Sequence, residues 1–147
     1  MLHPVIVHFA IAVPVVALVL QVLSLVKNSR ELSKSAMNVL FFGALALIGA
    51  WFTGGVEGPE IYPFLSEEGQ KLLIQHRDLG MGVGIGFAII TAIKIISFKK
   101  NSRLFEIVVT VLLFIGIAVN FAQGKIGGEL VYQYGAGVEC PEEEEDD

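Results

Sequence analysis

A single cysteine, Cys140, stands in a chain of 147 residues, so no internal disulfide can form. No CxxC or HExxH motif is present, which removes the usual thiolate and histidine frameworks for structural or catalytic zinc. Charge is scarce as well. Only 17% of the residues are Asp, Glu, Lys or Arg, and the net charge of −5 has the wrong sign for meeting phosphates, so nucleic acid is not an expected partner. What fills the chain instead is apolar: 54% hydrophobic residues and a mean hydropathy of +0.68. That balance is foreign to soluble, disordered and fibrous chains and points to one small integral membrane domain.

Four stretches are long enough to cross a bilayer. Residues 2–26 contain no Asp, Glu, Lys or Arg, and at about 1.5 Å of helical rise each they exceed the roughly 30 Å of a hydrocarbon core. Residues 35–56 form a second span, 79–98 a third broken only by Lys94, and 104–124 a fourth that is uncharged from Ile107 onward. Backbone groups cannot stay unpaired in lipid, and the period-2 alternation of a barrel is missing. The expected fold class is therefore an all-α, four-transmembrane-helix bundle. The first span has no basic head and no small-x-small cleavage site, so it reads as a retained helix and not as a signal peptide. No internal repeat stands out.

The basic residues concentrate in two short connections, Lys27, Arg30 and Lys34 after span one and Lys99, Lys100 and Arg103 after span three. By the positive-inside rule these face the cytoplasm, which puts both termini outside. Lys94, about a turn from the inner end, is expected to snorkel its ammonium toward Lys99 and Lys100, with Glu106 within reach.

All three histidines, His3, His8 and His76, then fall at the outer end. His3 and His8 diverge by about 140° around one helix, so at most one readily faces the bundle centre. His76 follows Ser66, Glu67 and Glu68, an N-cap with acids in the first turn, so a helix should start there and run straight into span three. Along the face below His76, Gly80 and Gly84 would leave a flat strip on which a planar macrocycle could lie. A b-type haem needs that room and two axial ligands from different helices. His8 and His76 are the first pair, with His3 as alternate ligand or propionate partner and Arg77 placed for bidentate pairing with a propionate. Three histidines cannot serve two bis-histidine haems.

Other readings compete with haem. The same three histidines are the candidate ligands for another metal: a free amino terminus, two backbone amides and His3 would suit square-planar copper(II). A reading of a different class gives the histidines only hydrogen bonds at helix ends, with Asp78 close by. It makes the chain a non-catalytic accessory subunit that packs its glycine faces against a larger respiratory or transport complex. No substrate chemistry beyond electron transfer is expected, and four spans without a buried carboxylate argue against a transporter.

Residues 54–65, dense in Gly and Pro and carrying Tyr62 and Phe64, read as a turn-rich outer loop with an aromatic anchor. The stretch 124–138 is broken by five glycines. Residues 125–138 are expected to lie along the outer interface, with Tyr132 and Tyr134 at headgroup depth, closing the 1–138 transmembrane domain. Residues 139–147 are a like-charge run expected to be disordered and suited to steering a basic partner such as a periplasmic c-type cytochrome. Self-association into a homo-oligomer stays open.

The opening Leu2-His3-Pro4-Val5-Ile6-Val7-His8-Phe9, the lone His76, Gly127-Gly128-Glu129-Leu130-Val131-Tyr132 and Gly135-Ala136-Gly137-Val138 together resemble the bacterial membrane proteins catalogued as domain of unknown function 2231. The resemblance runs over residues 2–138. It implies a multi-pass, four-helix protein of the bacterial inner membrane in which the histidines match His3, His8 and His76. Where the family commonly has proline after Phe9, this chain has Ala10 and defers proline to Pro14. The resemblance names no activity, so a haem role rests on ligand type and placement alone.

Overall fold

A computed structural model describes residues 2–138. The Met1 amine, Cys140 and the acidic tail 139–147 lie outside the described residues. The chain forms four helices: α1 (His3–Lys27), α2 (Arg30–Ile61), α3 (Glu67–Lys100) and α4 (Arg103–Tyr134), with one 3₁₀ turn, Tyr62–Phe64, between α2 and α3. All four are long and apolar enough to cross a membrane.

Local signals fix the connections. Asn28 ends α1 in the left-handed region at φ 48°, and Ser29 then caps α2 by accepting from the Leu32 amide. Asn101 ends α3 at the same φ, and Ser102 precedes α4. Ser66 caps α3 by accepting from Gly69, with Glu67 and Glu68 in the first turn, as the sequence led us to expect.

Two segments differ from expectation. The Gly- and Pro-rich stretch after span two is not a loop: α2 continues through Gly54, Gly55, Gly58 and Pro59 to Ile61. Residues 125–134, expected as a separate surface segment, continue α4 without a break, and their Leu130 is buried. The cause is the same in both. Glycine weakens a helix by only about 1 kcal/mol, and tertiary packing offsets that at Gly54 and Gly127, where the missing side chain lets His3 and His76 approach.

The interior is built of small residues, including Ala10, Ala17, Ala36 and Gly43, around Phe87, Leu40 and Leu113. Pro14 packs against Gly43, and Phe87 against Gly116, where a methyl group would meet ring carbons at 3.3 and 3.2 Å. The outer faces are apolar: Phe42 and Phe114 are 64% and 67% exposed, as a lipid-facing surface requires.

Lys94 corrects another expectation. Instead of snorkelling it is fully buried. Its ammonium donates to the Glu106 carboxylate and to Ser33 Oγ, the latter at 2.8 Å. Glu106 also accepts from Ser97 Oγ at 2.8 Å, Gln21 Nε2 at 2.7 Å and Ser33 Oγ at 3.2 Å. All four helices thus contribute to one polar knot near the two connections, and both charges are matched inside the bundle.

Candidate functional site

At the opposite end from that knot, α1 begins where α2 and α4 finish and where α3 is already in its third turn. His3 is the first residue of α1, and its amide, together with that of Leu2, is an orphan donor of the helix start. Glu57 of the neighbouring α2 supplies the cap. Its Oε1 accepts from Leu2 N at 2.6 Å and from His3 N at 3.1 Å.

The His3 ring lies on Gly54, where a methyl group would come within 3.0 Å of its Cε1. His76 rests on α4 in the same way, its Cε1 2.9 Å from where a Gly127 methyl would be. The two imidazoles meet with centroids 6.4 Å apart and planes at 89°.

Hydrogen bonds set the nitrogens. Thr53 Oγ1 donates to the carbonyls of Gly49 and Ala50, so at 3.1 Å it accepts from His3 Nδ1–H and leaves the His3 Nε2 lone pair uncommitted. His8 Nδ1 donates to the Pro4 carbonyl at 2.6 Å, which frees its Nε2 as well. The Gln123 amide donates to the His76 carbonyl at 2.7 Å and touches His76 Nε2 only at 3.4 Å. His76 Nδ1 and Gln123 Oε1 are buried with no hydrogen-bond partner.

The site opens into a cavity of about 780 Å³ whose walls include His3, His8, His76, Arg77, Gln123 and Leu130. His8 is exposed on that wall, so His3 is the histidine brought beside His76. Gly80 is not the bare step expected of it, because the Gln123 amide lies over it, 2.9 Å from an added methyl position; at Gly84 such a methyl would meet nothing within 4 Å. Arg77 borders the cavity and pairs with its neighbour Asp78 at 3.0 Å. The amides of Leu2 and His3, which an amino-terminal copper site would need, are those that donate to Glu57. Among the described residues no group of three His, Cys, Asp or Glu side chains converges to hold a metal ion.

The family pattern described as predicted membrane protein (DUF2231) matches residues 1–140, nearly the whole chain. The chain belongs to the DUF2231 family. No curated protein matches it, and no solved structure does. This DUF2231 chain is thus a multi-pass membrane protein whose family carries no assigned activity. Gly54, Thr53, Glu57 and Gln123 escaped the sequence reading. Gln123 left one trace, a second amide three residues after Asn120 inside an otherwise apolar span.

Proposed function

We propose that this DUF2231 protein is a one-electron carrier of the bacterial inner membrane whose histidine end would hold a single b-type haem, with His3 and His76 as the residues that would bind its iron. The ring separation carries the reading. Two imidazoles that shared one metal ion, each at about 2.0 Å with about 1.1 Å from nitrogen to ring centre, would have centroids at most about 6.2 Å apart; the observed value is 6.4 Å. Two further features support it. His76 Nδ1 is a buried nitrogen without a partner, and the cavity of about 780 Å³ falls in the range of small-molecule and cofactor sites, roughly 300–1,000 Å³.

A bound haem would supply the one-electron iron couple, and the protein's part is placement. Thr53 holds His3 in one tautomer, and Gly54 and Gly127 let both rings sit against the neighbouring backbones. Arg77 and His8 on the wall are in position to meet carboxylates, Arg77 by releasing Asp78. With the basic connections in the cytoplasm, the site faces outward and is accessible to a soluble carrier such as a periplasmic c-type cytochrome.

The visible spectrum of protein purified from haem-replete cells tests this. A Soret band that sharpens on reduction and is lost in His3→Ala and in His76→Ala, but kept in His8→Ala, is the expected result. A colourless protein overturns it. Stoichiometric copper in the colourless protein would move the reading to a metal site on the same nitrogens. The accessory-subunit reading has its own support: Gly82 and Gly86 on α3 face open space, as a docked helix would need. Co-purification of the colourless protein with a larger complex would favour it.

A further inference from the structure

His3 and His76 are 73 positions apart in the chain, and so are the two glycines they rest on, Gly54 and Gly127. The same interval separates Gly43, packed on Pro14, from Gly116, packed on Phe87, and Pro14 from Phe87. It also separates the two connections. Lys27-Asn28-Ser29-Arg30 recurs as Lys100-Asn101-Ser102-Arg103, each with its asparagine at φ 48°.

Burial follows the same interval. Every buried position of α1 has its counterpart among the buried positions of α3: Ala10 with Val83, Pro14 with Phe87, Ala17 with Ile90, Gln21 with Lys94, Ser24 with Ser97. Five of the seven buried positions of α2 recur likewise in α4, from Ala36 with Val109 to Ala50 with Gln123. Helical periodicity alone would align burial along one pair of helices. It would not give one common offset across two pairs of helices, two turns and two kinds of glycine contact.

From this we infer that the chain is a tandem duplication of one helical hairpin, α1–α2 and α3–α4, whose copies face each other across a twofold axis along the bundle. Both polar clusters lie at the ends of that axis. Each is a shared site, completed only when both hairpins are present. At one end the equivalent positions are His3 and His76. At the other they are Gln21 and Lys94, Ser33 and Glu106.

The copies differ where their surroundings differ. α1 starts at His3 and needs Glu57 to cap it, whereas the equivalent His76 amide lies inside α3, and Leu130 stands where Glu57 would be. Thr53, which holds His3 Nδ1, corresponds to Ile126, so the equivalent nitrogen of His76 is left without a partner. The orphaned nitrogen is thus a place where the two copies have diverged.

The inference stands apart from any haem and is tested on the full-length protein in two ways. The first permutes the buried cation. Lys94→Gln should lower the thermal midpoint strongly by stranding Glu106, and Gln21→Lys added to it should restore most of the loss, because Gln21 Nε2 already reaches Glu106. A double variant no more stable than Lys94→Gln overturns the equivalence. The second measurement compares distances in a Cys140→Ser background, with spin labels on the exposed, lipid-facing positions. The pair at Val19 and Ala118 and the pair at Ala92 and Leu45 exchange under the axis and should give coincident distance distributions. Clearly different distributions would overturn the twofold relation even if the permuted variants fail to fold.

Discussion

A methyl group at Gly127 would stand 2.9 Å from His76 Cε1, while one at Gly116 would stand 3.2 Å from the Phe87 ring in the middle of the core. The imidazole is at the free end of its side chain and can swing; the phenyl ring is enclosed. Gly127→Ala should therefore cost about 1 kcal/mol or less and still displace His76, whereas Gly116→Ala should approach the roughly 3 kcal/mol upper range of overpacking. Thermal unfolding in detergent, beside the spectrum of each variant, separates the two effects. At the other end, Lys94→Met leaves the partly buried Glu106 without its cation and should cost about 3 kcal/mol, the lower end of the range for breaking a buried pair, while Lys94→Met with Glu106→Leu should lose far less. Glu106 was legible as a partner because the turn folds it back on Lys94. That Lys94 stays inside was not legible, since it depends on Gln21, Ser33 and Ser97 arriving from three directions. The choice between His3 and His8 had the same difficulty: rotation about α1 is decided by Gly54 and Thr53, which belong to another helix.

The helix ends offer controlled comparisons. Ser29 accepts from the Leu32 amide, and Ser102, at the equivalent position, makes no such bond. Ser29→Ala should lose about 0.5–2 kcal/mol and Ser102→Ala close to nothing, read as shifts in thermal midpoint. Glu57→Ala removes the acceptor for two amides at the start of α1. Its signature should be faster hydrogen exchange confined to the first turns of that helix, with the far end of α1 still protected. The Ser66 cap and the presence of four long apolar helices were readable from the chain. The helical course of 54–61 and 125–134 was not, because glycine and proline signal turns in water but lose that meaning where close packing uses the bare backbone.

For the molecule as a whole, apolar length alone leads to the expectation of four spans, and the described residues hold four helices long and apolar enough to cross a membrane, while the arrangement of the helices depends on contacts between residues far apart in the chain. The bases beside the two turns lead us to expect those turns in the cytoplasm and the histidine end outside. A reporter enzyme that works only outside the cytoplasm, fused after residue 138, should be active, and one inserted between Asn101 and Ser102 should be silent. The opposite pattern would place the histidine end in the cytoplasm. The duplication was hidden from the sequence because its copies share spacing and burial more than residue identity, and the Lys-Asn-Ser-Arg turn is too short to signal a repeat by itself.

The ion pair between Lys94 and Glu106 joins α3 to α4, so it lies wholly within one hairpin. A segment leaving the insertion machinery with only one of these charges would resist entering lipid. Delivered together, the two cancel, and the hairpin can partition as an electrically neutral unit before its sister hairpin docks.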